Sequence, residues 1–452
     1  MTETMVFESA SLIDGTGGAP RSGMTVVVTD GRISDVGESG FVAIPDNATR
    51  VDLTGKWILP GLLNGNVHLT DSMTMMGPGA IEYLARHEHH LEDVIIEAAQ
   101  VALKQGVTTV FDTHNAVGPV LAARDRIAAG HDVGARIFAA GNIIGFGGPF
   151  SADFFAAASQ TASPTFVKRI NDQWEAGVGH QLTLLPVREI RARVRDYLDR
   201  GVDMLKIGVS DHLPMTVGLD RSYLTFSEHA LRVMIEEARE REIPVLSHTL
   251  SVQALQLSVD LAADVLIHAT VTMRQPIDHA TIDAILAKDL ACGVQTVTDK
   301  YRSMLDATQA PLAVLVDAAN EHLLMQAGAN IFLSTDAGCT PSDVLDDLGV
   351  VGTDERPWTL GSDHFDWVRG ITEKGMAPMT AIVSATANVA RAYNMFDELG
   401  SIEPGKVADL LVLNADPLDS IDNLRDIHSV YKAGAEVDRG SLPTRPLVTA
   451  RS

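Results

Sequence analysis

The chain has 452 residues, of which 46% are hydrophobic, and its 35 basic and 59 acidic residues give a formal net charge of -24 at pH 7. This length predicts one large domain plus a smaller one, and the acidic balance argues against nucleic acid or an anionic membrane as a partner, because both bind clustered lysine and arginine. No apolar run approaches the roughly 20 residues of a membrane span, and the N-terminus lacks a basic region followed by an apolar stretch, so we expect a soluble, cytoplasmic protein.

Short strands separated by turn residues are predicted over residues 1–57. They lie in TMVFESASLIDGTG, GMTVVVTDGRISDVGES and TRVDLTGKWI, where Asp30-Gly31 is a dipeptide typical of a β-hairpin. Residues 399–452 return to the same pattern in GKVADLLVLNADP and IHSVYKAGAEVDRG. Two all-β ends flanking a long middle predict one small β-sandwich domain built from both chain termini.

The middle of the chain, residues 58–398, alternates short apolar runs with helical patterns. One helix face carries Leu231, Met234, Ile235 and Ala238. The apolar runs are rich in Val and Ile and read WILPGLL, TTVFDTH, RIFAAGNII, MLKIGV, PVLSHT, VLIHAT, GVQTVT and IFLSTD. Eight buried strands separated by helices predict an α/β fold, a (β/α)8 TIM barrel.

Ionisable side chains interrupt or close five of these eight runs. His68 follows strand one, Lys206 lies in strand four, His248 and His268 end strands five and six, and Asp336 ends strand eight. A single buried histidine is often a core group with a satisfied hydrogen bond. Active sites of barrels lie at the C-terminal strand ends, however, so five such residues at matching ends predict a common site.

With these motifs, the chain resembles the amidohydrolase superfamily, and in particular its imidazolonepropionase-like and Xaa-Pro dipeptidase-like branch. The resemblance covers almost the whole chain. It rests on LIDGTGGAPRSGMTVVVTDGRISDVG, LPGLLNGNVHL, VDMLKIGVS, VLSHT, VLIHA, FLSTDAG and LGSIEPGKVADLLVLNADP. The resemblance implies that a divalent metal is bound by His68, Lys206, His248 and His268, with Asp336 as the catalytic carboxylate and a further ligand.

The family chemistry explains these residue types. A bound divalent ion lowers the pKa of its water to roughly 7, which supplies a nucleophile for amide-like bonds. Imidazole suits zinc or cobalt, with manganese or iron as further possibilities. The lysine at the position of Lys206 is often carboxylated in the family, and a buried lysine paired with Asp203 or Asp211 is the alternative. Asp336 would pass a proton from the water to the departing amine.

The stretch LPGLLNGNVHL departs from the family pattern, because Asn66-Val67-His68 stands where His-x-His is usual. An amide oxygen is a weaker ligand than imidazole for such metals. We therefore expect one tight ion at Lys206, His248 and His268, and a weak or absent second ion at Asn66, His68 and Asp336. The Asn-x-His motif resembles a subgroup that includes the phenylurea hydrolases and molinate hydrolase, which cleave herbicide ureas and thiocarbamates.

Other polar residues carry weaker arguments. His114 at the end of strand two is either a partner of a metal ligand or a satisfied core group. Arg302, after strand seven, could bind a substrate carboxylate. The tract RHEHH at 86–90 is expected to be a solvated helix face. His180 and His212 lie in loops and have no spacing that indicates a catalytic role.

Two loops at the predicted barrel mouth bear on the substrate. TDSMTMMGPGAIEYL follows strand one and carries three methionines, and GFGGPFSADFFAAASQTASPTF follows strand three. Methionine and phenylalanine line adaptable apolar pockets, and glycines permit loop movement, so a neutral, partly aromatic small molecule is favoured. The alternative is that these residues pack against a helix or an oligomer interface; we expect a homo-oligomer.

The leading hypothesis is a metal-dependent amidohydrolase that cleaves a C–N bond of an aryl urea, carbamate or related amide, as in phenylurea herbicide degradation. A second hypothesis is an Xaa-Pro or other dipeptidase, which would need a cation for the terminal carboxylate of the peptide. A third is a non-catalytic assembly relative. That relative should have lost several ligands together, whereas here only position 66 has changed.

Overall fold

The computed structural model describes residues 4–71, 74–216, 221–308, 313, 315–340 and 355–445. Its strands, in chain order, are β1 (Thr4–Leu12), β2 (Arg21–Thr29), β3 (Arg32–Glu38), β4 (Thr49–Asp52), β5 (Trp57–Pro60), β6 (Leu62–His68), β7 (Val107–Asp112), β8 (Arg136–Ala139), β9 (Leu205–Gly208), β10 (Val245–His248), β11 (Val265–Ile267), β12 (Ala291–Val294), β13 (Asn330–Leu333), β14 (Ala337–Gly338), β15 (Leu410–Leu413), β16 (Ile427–Lys432) and β17 (Ala435–Glu436).

Helices connect most of the central strands. They are α1 (Gly79–His87), α2 (Leu91–Lys104), α3 (Val117–Ala128), α4 (Ala158–Thr161), α5 (Pro164–Glu175), α6 (Val187–Leu198), α7 (Leu213–Thr216), α8 (Glu228–Arg239), α9 (Val252–Asp260), α10 (His279–Ala287), α11 (Asp299–Thr308), α12 (Ala318–Ala327), α13 (Asp363–Glu373), α14 (Pro378–Ser384) and α15 (Ala387–Ala392). Short 3-10 helices cover Thr74–Met76, His180–Leu184 and Ile421–Arg425. None of the helices in the described ranges is long and apolar enough to cross a bilayer.

Both chain termini contribute to one eight-stranded sheet, as the sequence predicted. Its order is β17-β16-β15-β5-β1-β2-β3, with β4 paired to β1. Buried residues from both ends form its core, and the Phe7 and Tyr431 rings meet edge to face with centroids 4.7 Å apart. The division of this unit into a two-layer sandwich, and the domain limits 1–57, 58–398 and 399–452, stay predictions.

The apolar run WILPGLL is divided between the two parts of the fold. Its first half forms β5, which pairs with β1 and β15 of the terminal sheet, and its second half begins β6. Gly61 lies at the division, where a Cβ atom would be only 2.3 Å from the Thr108 Oγ1 atom of β7. A residue without a side chain is therefore needed where the chain passes from one sheet to the other.

The eight strands predicted for the middle of the chain correspond to β6–β13, which together with the two-residue β14 form two parallel sheets of TIM-barrel type. The sheet orders are β13-β12-β11-β10-β9 and β14-β6-β7-β8. A parallel bridge between Ile144 and Ile207 joins the two sheets at one side, and on the other side the Asp336 N–H donates to the Asn66 carbonyl over 2.8 Å. Closure of all eight strands into one hydrogen-bonded barrel stays a prediction.

Burial explains why these elements form. Every residue of β6, β7, β9 and β10 is buried, as expected for parallel strands covered by helices. Helix α8 buries Leu231, Met234, Ile235 and Ala238, which confirms the predicted apolar face. Its first turn is capped by Ser227, whose side chain accepts the Ala230 N–H. The C-terminal ends of the parallel strands thereby share one face of the fold.

Candidate metal centre

The predicted strand-end residues lie around one cavity. His68 and His248 are the last residues of β6 and β10, and His268 directly follows β11. The structure places His68, His248, His268 and Asp336 in the lining of a cavity of about 40 Å³. Lys206 lies within β9 of the same parallel sheets and is only 1% exposed. The fold brings these residues close together, as predicted. Their role as metal ligands stays a prediction.

Two of these residues leave their strands in an unusual backbone conformation. The φ angles of His268 and Asp336 are +61° and +62°, in the left-handed region that side chains with a Cβ atom rarely adopt. Such conformations cost of order 1–3 kcal/mol each and persist where the surrounding structure determines them, often at functional sites. The backbone therefore turns both side chains into positions that a regular strand end would not give.

Asp336 is the ionised group of the site. Its Oδ1 atom accepts a hydrogen bond from His68 Nε2 at 2.8 Å and another from Asn66 Nδ2 at 3.1 Å. Burial alone would raise the pKa of Asp336, but the neighbouring His68, which also hydrogen-bonds to the carboxylate, and the Lys206 ammonium outweigh burial and hold that pKa well below its usual range. A carboxylate at this position is therefore charged and acts only as an acceptor.

Asn66 belongs to a chain of hydrogen bonds that crosses the site. Lys206 Nζ donates to Thr113 Oγ1 at 3.0 Å, and the Thr113 hydroxyl donates to Asn66 Oδ1. Because the Asp336 carboxylate can only accept, the amide nitrogen of Asn66 must face it, which fixes the amide oxygen toward Thr113. The amide oxygen that the sequence suggested as a weak ligand is thus engaged by Thr113.

Thr113 is a buried residue of this hydrogen-bonded chain that the sequence patterns did not single out. It is fully buried directly after β7, next to His114 in the stretch FDTHNA. A polar residue at the C-terminal end of a barrel strand was the available signal. Its hydroxyl accepts from Lys206 and donates to Asn66 at the same time.

The histidines are buried and hold nitrogen atoms without a described partner. Neither ring nitrogen of His248 makes a hydrogen bond within the described residues, and the same holds for His68 Nδ1 and His268 Nδ1. Burial is the main cause that lowers the pKa of His268 to about 3 and that of His248 well below its usual range. Neutral imidazoles with buried, unpartnered nitrogens are the form that binds metal ions.

The donor atoms fit a divalent ion by chemistry and burial, but they are not assembled around one point. In the part of the chain that the structure describes, no three or more His, Cys, Asp or Glu side chains are grouped closely enough to hold an ion. The His248 and His268 rings are 4.8 Å apart, while His68 and Asp336 bond to each other. Side-chain rotation would be needed to bring the donors together.

Lys206 has the environment expected of a reactive amine. Burial lowers the pKa of Lys206 to about 8, although Asp336 and Asp112 act in the opposite direction. The alternative pairings are not formed. Asp203 bonds to Arg124 at 2.9 Å, and Asp211 accepts the backbone N–H groups of Leu213 and Tyr223.

The weaker candidates differ in where they lie. His114 lines the cavity, with its ring 5.6 Å from His68. Arg302 does not line it; its guanidinium donates to Asp306 at 3.0 Å and to the Val316 carbonyl. The prediction that RHEHH is a solvated face is wrong for His87, which is 1% exposed because α1 ends there and the ring packs against Tyr83.

Several cavity residues come from loops and were not predicted as site residues. His212 lines the cavity, and its ring is 4.5 Å from that of His248. The rest of the lining is mainly apolar: Asp71, Leu250 and Leu315 were not singled out, whereas Met75, Met76 and Phe154 come from the two loops predicted at the mouth. Met73, the remaining methionine of the loop after β6, lies outside the described residues.

Comparison with known proteins gives a consistent result. Residues 57–437 match the model of the amidohydrolase family. The structure is similar to that of phenylurea hydrolase B, with a TM-score of 0.95 and 55% identity over 100% of both chains. It is also similar to molinate hydrolase, with a TM-score of 0.96 and 48% identity over 100% of this chain and 98% of that one.

A curated relative is more distant and longer. The adenine deaminase of Oceanobacillus iheyensis is 25% identical over 423 residues, which are 92% of this chain and 54% of the relative. The chain thus spans about half the length of that relative. A Xaa-Pro dipeptidase structure, at 21% identity and a TM-score of 0.73, shares the fold.

The hydrogen-bonded chain through Thr113 gives a testable prediction. Thr113→Val removes the hydroxyl that Lys206 and Asn66 share, and we expect it to lower the free energy of unfolding by about 1–3 kcal/mol. Thr109→Val on the same strand is the matched control, because Thr109 Oγ1 is buried and makes no hydrogen bond with the described residues. Chemical denaturation measures both; equal losses would contradict a specific role for the Thr113 hydroxyl.

Proposed function

Because the chain belongs to the amidohydrolase family, we propose that it is a metal-dependent hydrolase that cleaves a C–N bond of a neutral, partly aromatic urea, carbamate or related amide. The observation that carries this proposal is the pair of buried, neutral imidazoles of His248 and His268, whose nitrogens lack partners among the described residues, beside the ionised Asp336. The full-length similarity to phenylurea hydrolase B and molinate hydrolase supports the class of substrate.

The residues that would hold the ion are those at the strand ends. They are His68, Lys206, His248, His268 and Asp336, with Asn66 as a weak additional ligand. Zinc is the metal best suited to neutral imidazoles, and cobalt, manganese or iron are further candidates. A bound divalent ion supplies Lewis acidity, which makes water nucleophilic at neutral pH and polarises the substrate carbonyl.

We propose Asp336 as the residue that moves the proton. Its carboxylate is ionised, so it can accept a proton from the attacking water and return it to the departing amine. His68 Nε2 and Asn66 Nδ2 both donate to its Oδ1 atom, which holds the carboxylate at the cavity wall. We propose that its other oxygen atom, Oδ2, exchanges the proton.

We propose that Lys206 is carboxylated. Carbon dioxide reacts with a neutral amine, and a pKa of about 8 leaves an appreciable neutral fraction at physiological pH. The carbamate would be a negatively charged oxygen ligand at the floor of the site. Thr113 is the neighbouring hydroxyl that could orient it.

The engaged amide of Asn66 supports a site with one tight ion. Both polar atoms of the amide already have partners, Thr113 and Asp336. Both nitrogens of His248 and one of His268 lack a described partner. An ion would therefore bind at the Lys206, His248 and His268 side with less loss of existing hydrogen bonds than at the Asn66 side.

The cavity lining favours a neutral substrate. Met75, Met76, Leu250, Leu315 and Phe154 supply apolar contacts. A dipeptide would need a cation for its carboxylate, and Arg302 is engaged elsewhere, so the dipeptidase hypothesis has less support. Ligand sites usually measure about 300–1,000 Å³, so the walls must separate when a substrate enters. A homo-oligomeric assembly stays a prediction.

Metal content tests the proposed site. We expect close to one tightly held divalent ion per chain after mild chelation, measured by elemental analysis. His248→Ala should lose this ion, whereas His279→Ala, at an exposed position of α10, should keep it. Two equally tight ions would contradict the argument from Asn66, and no ion would contradict metal dependence.

Asp336→Asn tests the proton transfer. We expect turnover to fall by a factor of at least about 100 while metal content is largely kept, because the amide cannot act as a base. Steady-state kinetics on an N-aryl urea, with elemental analysis of the same sample, measure both quantities. An active Asn variant would show that another group accepts the proton.

Asn66→His tests whether the departure from the family motif matters. The added imidazole should raise occupancy of a second ion, yet turnover should fall, because an imidazole that binds the ion has only its N–H left and cannot accept from Thr113 as the amide oxygen does. Asn66→Ala should also lose activity. If Asn66→His is as active as the parent with unchanged metal content, the asparagine has no specific role.

A further inference from the structure

The loop that follows β8 places two aromatic rings on the histidines of the site. Phe146 meets His248 edge to face with ring centroids 5.2 Å apart. Phe154 stacks on His114 at 4.8 Å with an interplanar angle of 8°, and its edge contact with His212 is 5.5 Å. The loop, residues 140–157, thus supplies one wall of the cavity.

Asp153 ties this loop together from inside. The residue is 4% exposed, and its Oδ2 atom accepts the Gly147 N–H at 2.8 Å and the Ser151 hydroxyl at 3.3 Å. The same oxygen atom contacts His180 Nε2 from the 3-10 helix His180–Leu184. One carboxylate therefore links both ends of the FGGPFSADF turn to the segment that follows α5.

The backbone of Asp153 reaches the site itself. Its carbonyl oxygen accepts a hydrogen bond from His212 Nδ1 at 3.1 Å. A carbonyl oxygen can only accept, so the Nδ1 atom of His212 carries the proton and the tautomer of this ring is fixed. The position of Asp153 thus determines the orientation of His212 as well as that of Phe154, the next residue.

The loop is tightly packed. A Cβ atom on Gly147 would lie 2.3 Å from the Ser151 Cβ atom, and one on Gly148 would lie 2.4 Å from the Asn171 Cα atom of α5. The Phe150 N–H donates to Asn171 Oδ1 at 2.9 Å. These contacts fix the loop against α5 on one side while Asp153 fixes it toward the cavity on the other.

We propose that Asp153 is a positioning residue. Through Gly147 and His180 it holds the loop where Phe154 and His212 form one wall of the cavity, and this wall sets the affinity for the planar group of the substrate. Aromatic faces bind planar groups in offset or edge-on geometry, which depends on ring position. The inference rests on the proposed hydrolase function for its substrate, but the geometry of the wall can be measured independently.

Kinetics on N,N-dimethyl-N′-phenylurea test the proposal. Asp153→Ala should raise KM at least about tenfold and change kcat less than about threefold, with metal content kept. The reason is that the aromatic wall binds the substrate equally well in the ground state and in the transition state. Asp153→Asn should stay within about threefold of the parent, because the amide oxygen still accepts the Gly147 N–H. The matched control is Asp264→Ala, whose carboxylate accepts the Val245 N–H at 2.8 Å at the opposite strand ends and whose KM should not change.

Phe154→Leu provides a second variant that leaves the Asp153 network in place. It should raise KM to a similar extent, even if Asp153→Ala fails to fold. An unchanged KM in Phe154→Leu, or a loss confined to kcat in Asp153→Ala, would overturn the proposal.

NMR of isotope-labelled histidines separates this inference from the proposed function. The His212 signal, assigned by its loss in His212→Gln, should show a protonated Nδ1 in the parent and should change in Asp153→Ala and not in Asp264→Ala. If the parent hydrolyses no N-aryl urea, carbamate or amide, the proposed function fails, and the His212 signal still decides the role of Asp153. An unchanged signal in Asp153→Ala would overturn that role.

Discussion

The ionised Asp336 at the barrel mouth is the constraint around which the site is arranged. A buried carboxylate is tolerated only where donors surround it. His68 and Asn66 supply hydrogen bonds, and Lys206, as the unmodified ammonium, supplies positive charge from β9. The need for donors also fixes the orientation of the Asn66 amide and, through it, the direction of the Thr113 hydrogen bonds. One charge thus orders side chains from β6, β9 and the end of β7.

The same site holds buried groups that lower stability. The His68, His248 and His268 rings contain four buried nitrogen atoms that have no hydrogen-bond partner among the described residues, and each would cost about 1–3 kcal/mol if it were left without any partner. The left-handed backbone at His268 and Asp336 adds strain. The large apolar cores under the strands offset these costs. Such a concentration of unfavourable features at one place is characteristic of a site in which binding of a ligand relieves them.

The fold and the proximity of the strand-end residues were largely predictable, but the hydrogen bonds that connect these residues were not. Apolar runs located the strands, and polar residues at strand ends located His68, Lys206, His248, His268 and Asp336 near one cavity. Thr113, His212 and Phe154 depend on contacts between segments far apart in sequence. Arg302 was assigned toward the site because a strand end preceded it, whereas α11 turns its guanidinium to Asp306 and Val316. The left-handed backbone angles and the division of one apolar run at Gly61 leave no mark in the spacing of apolar residues, so the sequence pattern could not predict them.

Strand β5 has a consequence for how the chain folds during synthesis. It pairs with β15, so that Pro60 and Leu410 are partners in one ladder, and the next strand along the chain is the one that carries Asn66 and His68. Contacts of such large sequence separation form late, because the intervening loop must first be closed. A nascent chain on the ribosome can form many contacts among its central strands early. Strand β5, which directly precedes β6, gains its partner β15 only after the C-terminal strands emerge. Premature termination before β15 should therefore yield a chain that exposes the β5 edge and depends on chaperones.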